Sequence, residues 1–180
     1  MQAARGTALT RPRVLLLVVA LLTVALDAIT KALVVEHLEK TGDSLRLLGG
    51  AVTLVVSRNS GAAFSFATGM TVVFTLVAVA VIAYIVRTLP RLRSSGWALT
   101  LGLLLGGAVG NLIDRLTRAP GFAKGHVVDF ISVPHFASFN VADSAITVGA
   151  GLALLLSFRG IELDGAKHGD QREPNDVPTA

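Results

Sequence analysis

Residues 14–35 read VLLLVVALLTVALDAITKALVV, a run whose only charges are Asp27 and Lys31. At about 1.5 Å per residue, a helix of this length crosses the ~30 Å hydrocarbon core of a bilayer. Arg5, Arg11 and Arg13 precede it, as they would precede the apolar core of a secretory signal peptide. The run nevertheless continues through Asp27 and Lys31 without a small-residue cleavage site, and it reads as an uncleaved first span. Further apolar runs at about 70–86, 97–113 and 141–158 follow; the third is short and glycine-rich. The predicted fold class is a mainly α membrane protein with four transmembrane helices.

Composition agrees with that reading. Of 180 residues, 52% are hydrophobic and 16% charged, and the mean hydropathy of +0.66 exceeds that of a water-soluble domain of this size. There is no cysteine, which excludes a structural disulfide, a thiol nucleophile and a thiolate metal site. The net charge of +4 does not point to nucleic acid, because the basic residues are scattered among apolar runs and form no aromatic-basic face. Topology accounts for them instead. Arg87, Arg91 and Arg93 occupy the loop between the second and third spans with no acidic neighbour, the signature of a cytoplasmic loop.

Four spans then leave both termini in the cytoplasm and put residues 36–69 and 114–140 on the extracytoplasmic side. In the first of these segments, Leu45–Leu48 and Val52–Val56 are rich in β-formers and separated by Gly49-Gly50, so a small extracytoplasmic β-sheet is expected. Residues 1–161 form the membrane domain. Residues 162–180, poor in apolar side chains, are expected to be a disordered cytoplasmic tail. No internal repeat marks the inverted halves of a transporter.

Polar residues at span ends need a partner or a task. Asp27 and Lys31, four apart on one helix face, read as a structural ion pair. Arg58 to Phe64 (RNSGAAF) reads locally as a turn, in which Asn59 could present both amide donor and acceptor to a peptide. Gly106 and Gly110 allow a neighbouring helix to approach, and the same span ends in Asn111, Asp114 and Arg115. Asp129 lies in a strand-like VVDF stretch, and Asp143 follows Asn140 at the start of the fourth span. There Asn140 and Asp143 stand in the spacing of a capping box.

Asp114, Asp129 and Asp143 all fall at the outer ends of helices or just beyond. A channel or proton-coupled transporter would place ionisable groups near the midplane, whereas a cluster at one face suits interfacial chemistry. Two carboxylates in a low-dielectric pocket share a proton and so combine acid with base. Such a pair can activate water against an amide without a metal or covalent intermediate. Other hydrolytic chemistries lack their signatures: there is no HExxH helix for zinc among His37, His126, His135 and His168, and no GxSxG elbow surrounds Ser144. The residues alone leave three aspartates as candidates, with transport or a purely structural membrane role as alternatives to catalysis.

Taken in order, DAITK (27–31), RNSGAAFS (58–65), GAVGNLIDR (107–115), VVDF (127–130) and FNVADS (139–144) resemble the successive motifs of the lipoprotein signal peptidase, or signal peptidase II, family. The resemblance implies Asp129 and Asp143 as catalytic residues of an aspartic peptidase, with Asn59, Gly61, Asn111, Asp114, Arg115 and Asn140 binding substrate or supporting the site. It implies no metal or other cofactor. Its substrates would be prolipoproteins carrying a diacylglyceryl-cysteine, cut just before that cysteine at the extracytoplasmic face of a bacterial cytoplasmic membrane, with membrane lipids as the remaining partners and no nucleic acid. One departure stands out. Residues 116–126 form a longer link between the third-helix motif and the VVDF segment than is usual in the family.

Overall fold

The computed structural model describes residues 10–61 and 70–167. The Ala62–Ser65 part of the RNSGAAFS motif, Arg5 and residues 168–180 lie outside them. Four helices are long and apolar enough to cross a membrane: α1 (Arg11–Val34), α2 (Met70–Thr88), α3 (Ser95–Thr117) and α4 (Val141–Phe158). Each exceeds or matches its predicted run. α1 continues through a widened turn, Val35–Glu39, and α3 keeps Asp114 and Arg115 inside its last turns.

α3 is the central helix, packed against α1, α4 and α2, and its glycines explain how closely the neighbours approach. A Cβ on Gly102 would lie 2.9 Å from the Leu16 carbonyl oxygen, and one on Gly106 would lie 2.8 Å from that of Ala20. On the other side, a Cβ on Gly107 would meet the Ala142 carbonyl oxygen of α4 at 2.5 Å. Removing side chains lets backbones pack directly, the main source of helix association where lipid is as apolar as leucine.

Three antiparallel strands lie beyond the helix ends in the order β1 (Leu45–Leu47), β2 (Val52–Asn59), β3 (Val127–Ser132). β2 runs three residues past its predicted end and takes in Arg58 and Asn59, which the local sequence marked as a turn. Pairing of Arg58 with Val128 and of Asn59 with Val127 supplies the reason, and that partner strand is some seventy positions away. Val128 and Phe130 are buried with Val34 of α1, so one face of the sheet rests on the end of the first helix.

Residues 116–126 fold back over the end of α3. The Gly125 amide donates to the Arg115 carbonyl at 3.0 Å, and the His126 amide to that of Ala119 at 2.9 Å. At the opposite end, residues 162–167 of the expected disordered tail are ordered and form a turn with Ile161. Ile161 and Lys167 form a bridge, the Leu163 carbonyl accepts from the amides of Arg93 and Ser94, and Trp97 Nε1 donates to the Ile161 carbonyl at 2.7 Å. Polar composition hid this turn because backbone groups and one indole hold it.

Gly106→Val drives a branched side chain into Thr23 and the Ala20 backbone and is expected to cost about 1–3 kcal/mol. Gly151→Ala, where nothing lies within 4 Å, is expected to change stability by less than about 1 kcal/mol and in the favourable direction. Unfolding of the two variants in mixed micelles tests the contrast.

Candidate active site

The polar residues singled out in the sequence converge at one end of the bundle, where α1 and α3 finish and α4 begins. Lys31 is sealed inside the bundle. It is 1% exposed, as is Asp27, and its Nζ lies 2.7 Å from Asp27 Oδ2 and 3.0 Å from Asp114 Oδ2. It also donates to Asn111 Oδ1 at 3.2 Å. The expected pair on one helix is therefore part of a larger cluster that joins α1 to α3. The second Asp27 oxygen accepts from the Ala142 amide at 3.0 Å, in the first turn of α4. Asp114 likewise does two things: Oδ2 accepts from the Val128 amide of β3 at 3.1 Å, and Oδ1 is paired with Arg118.

Asn111 carries this order outward. With its oxygen facing Lys31, its Nδ2 donates to Asp143 Oδ1 at 2.7 Å. Asp143 forms the anticipated capping box: its amide donates to Asn140 Oδ1 at 2.9 Å, and its Oδ2 accepts from the Asn140 amide at 3.1 Å. The cap leaves the half-buried Asp143 carboxylate at the positive end of the α4 dipole.

Asp129 arrives from the sheet. Beyond β3 the chain doubles back, and Phe139 bridges to Ile131, which delivers Asn140 next to Asp129. Asn140 is fully buried, and its Nδ2 donates to Asp129 Oδ1 at 2.7 Å and to Asn111 Oδ1 at 3.2 Å. Asn59 Nδ2 donates to Asp129 Oδ2 at 2.8 Å, while Asn59 Oδ1 accepts from the Gly61 amide at 2.7 Å. Gly61 holds this tight turn at φ +91°, where a side chain would be strained. Asn140 thus bonds both aspartates, one through its side chain and one through its backbone.

Burial raises the Asp129 carboxyl to about 6; the nearby Asp143 charge adds to the rise, while the amides of Asn59 and Asn140 and the Lys31 charge oppose it. Low polarity disfavours the ionised form, and these donors recover only part of the loss.

Two cavities flank the pair. One of about 240 Å³ includes Ser57, Asn59, Asp129 and Ser138. The other, of about 390 Å³, runs along α3 between α2 and α4, with Asn59, Asn111, Arg115 and Asp143 at its polar end and Val77, Val81, Leu104 and Ile146 among its apolar walls. Arg115 is 8% exposed, its guanidinium lies 5.3 Å from the centre of the Phe74 ring, and its Nη1 has no hydrogen-bond partner among the described residues. Phe74 carries no sequence signal, since a phenylalanine in an apolar span is ordinary. Nor did the sequence show Thr71 and Thr75, which tie α2 to the Ser60 and Ala123 carbonyls. Among the described residues, no three His, Asp or Glu side chains gather as a metal site.

Fold and site define a multi-pass membrane protein with a buried and a half-buried carboxylate, joined through Asn140, at one end of its helical bundle. A family model described as signal peptidase (SPase) II matches residues 19–159. Lipoprotein signal peptidases of Rhodococcus jostii, 52% identical over 89% of this chain and 80% of that protein, and of Streptomyces coelicolor, 50% identical over 86% and 76%, are similar along nearly the whole membrane core. A solved structure described as a bacterial membrane enzyme superposes with a TM-score of 0.68 at 27% identity, covering 80% of this chain and 92% of that one. The chain belongs to the signal peptidase II family. Its activity is that of a lipoprotein signal peptidase, a membrane peptidase with prolipoprotein substrates.

Replacing Lys31 with methionine leaves Asp27 and Asp114 buried without their shared cation. The expected cost is about 3–5 kcal/mol, read as a lowered midpoint in micellar denaturation.

Proposed function

We propose that this peptidase hydrolyses the bond preceding the lipidated cysteine of diacylglyceryl-modified prolipoproteins, with Asp129 and Asp143 together activating water. The observation that carries this reading is the joining of the two carboxylates through Asn140, with Asp143 at the polar end of the cavity between α2 and α4 and Asp129 lining the smaller cavity that shares Asn59 with it. A lipid-anchored peptide enters such a cleft laterally from the bilayer, with its acyl chains in hydrocarbon and its scissile bond at the interface.

In this reading Asp129, whose carboxyl is raised to about 6, carries the shared proton. Asp143 carries the charge, which the N-terminal end of α4 favours. The charged carboxylate takes a proton from the attacking water, and the protonated one donates to the developing oxyanion or the leaving nitrogen. Arg115, whose Nη1 has no hydrogen-bond partner among the described residues, and Asn59 hold the substrate backbone. Gly61 sets the Asn59 turn. Asn111, Asn140 and Asp114 support the carboxylates, and Asp27 with Lys31 fixes the bundle beneath them. Both termini lie in the cytoplasm and the site on the extracytoplasmic side. The arginine-only loop at the far end of the bundle supports that orientation.

Asp129→Asn and Asp143→Asn are each expected to lower cleavage of a lipidated precursor by about 10²–10⁴-fold or more, while circular dichroism and detergent-phase elution stay native. Turnover near the wild-type rate in either purified variant would refute the dyad.

The singly protonated state requires Asp129 to keep its proton, so it is lost as pH rises through about 6. A descending limb near pH 6 is expected in kcat/KM, which reports the free enzyme. Asn59→Ala removes a bond that favours ionised Asp129 and is expected to move the limb to higher pH. A limb that stays in place would contradict the assignment of the proton to Asp129.

A further inference from the structure

At the end of the bundle opposite the aspartates lies a cavity of about 920 Å³ that plays no part in the chemistry above. Tyr84 and Thr88 of α2, Trp97 and Leu101 of α3, and Ser157 and Phe158 of α4 wall it, and the 160–164 turn closes its lower side. It lies on the same side of α3 as the site cavity, between α2 and α4 and nearer the start of α3. Its volume falls within the range of about 300–1,000 Å³ of small-ligand pockets.

Three features identify its occupant. Arg91 and Arg93 line the cavity, both are exposed, and neither guanidinium has an ion pair or hydrogen bond among the described residues. Arg13, Arg87 and Arg159 lie at the same end of the bundle; Glu162 and Asp164 also line the cavity, and Asp164 Oδ1 is occupied by the Ala166 amide at 2.9 Å. Tyr84 and Phe158 expose large aromatic faces at the depth where such rings meet lipid headgroups. The lining balances two arginines against two carboxylates, so the attraction comes from the two unpaired guanidinium groups and from Arg13, Arg87 and Arg159 around them, which leave this membrane boundary positive and suited to a phosphodiester flanked by hydrocarbon.

We propose that this cavity is a binding site for an anionic phospholipid. The headgroup phosphate lies between Arg91 and Arg93, beside the first turn of α3, whose dipole also favours negative charge. The acyl chains lie in the α2–α4 cleft past Leu101. The proposal is independent of the proteolytic mechanism and is read without substrate.

Trp97 is the chain's only tryptophan, so its fluorescence reports on this site alone. The full-length protein is reconstituted in phosphatidylcholine vesicles containing equal mole fractions of either dibrominated phosphatidylglycerol or dibrominated phosphatidylcholine, whose bromines quench on contact. The anionic lipid is expected to associate about tenfold more strongly, as about 1 kcal/mol for each of two arginines less ionic screening implies. In R91Q/R93Q the ratio is expected to fall to near one, and in R91Q and R93Q singly to an intermediate value, with precursor cleavage retained in all three. Equal quenching by the two lipids in the wild-type protein would overturn the proposal. So would an anionic preference that survives in R91Q/R93Q.

Discussion

An ammonium group sealed inside a helical bundle can persist only if opposite charge reaches it, and Lys31 draws that charge from two helices at once. Asp27 comes from its own helix and Asp114 from α3, so the ion cluster sets the register of α1 against α3. The desolvation cost of such a cluster is several kcal/mol per ion and is offset only with close geometry. α3 permits that geometry by carrying no side chain where Asp27 approaches: a Cβ on Gly110 would lie 2.7 Å from Asp27 Oδ2. Glycine spacing and buried charge are thus two parts of one arrangement. The glycines bring the backbones together, and the charges decide at what height.

The consequences pass outward through amides. An asparagine in a buried network has one acceptor and two donors to place, so fixing the acceptor fixes the rest. Lys31 Nζ and Asn140 Nδ2 both occupy Asn111 Oδ1, which turns Asn111 Nδ2 toward Asp143. Asn140 repeats the logic with its oxygen committed to the α4 cap and its nitrogen to Asp129. The carboxylates therefore come from elements of different kind, a strand and a helix, yet are joined through one shared asparagine, Asn140. Preorganised donors of this sort cost little reorganisation when charge moves.

How much of this was legible in the sequence depended on the range of the interaction. The four spans could be read because hydropathy is local and each run satisfies its own backbone hydrogen bonds. The capping box at Asn140 and Asp143 was legible for the same reason, as was the spacing of Asp27 and Lys31. The link from Lys31 to Asp114 was not, since only the packing of α1 on α3 brings residues 31 and 114 together. The extension of β2 through Asn59 depends on a strand far along the chain, and Phe74 acquires its role only from the guanidinium above it. The 161–167 turn escaped because its composition resembles that of a solvated tail while its backbone carbonyls serve α3 and the preceding loop. Among Asp114, Asp129 and Asp143 the residues alone gave no choice, and it was the order of motifs, a property of the whole chain, that separated one from the other two. The structure adds a physical distinction: Asp114 is held by Lys31 and Arg118, whereas Asp129 and Asp143 are bonded by amides alone.

That distinction also explains the placement of the least constrained helix. α1, α3 and α4 are bound by close glycine contacts and by the ion cluster, which gives the carboxylates a rigid base. α2 contributes no charge to that cluster; it rests mainly on α3 and is tied near the site by two threonine hydroxyls and by its phenylalanine beneath Arg115. Under the proposed mechanism, the cleft between α2 and α4 is the side from which a substrate still embedded in lipid enters. A peptidase of that kind needs both a fixed pair of carboxylates and a lateral opening. Here they are assigned to different helices, so the opening can yield without disturbing the distances among Asn111, Asn140 and the two aspartates.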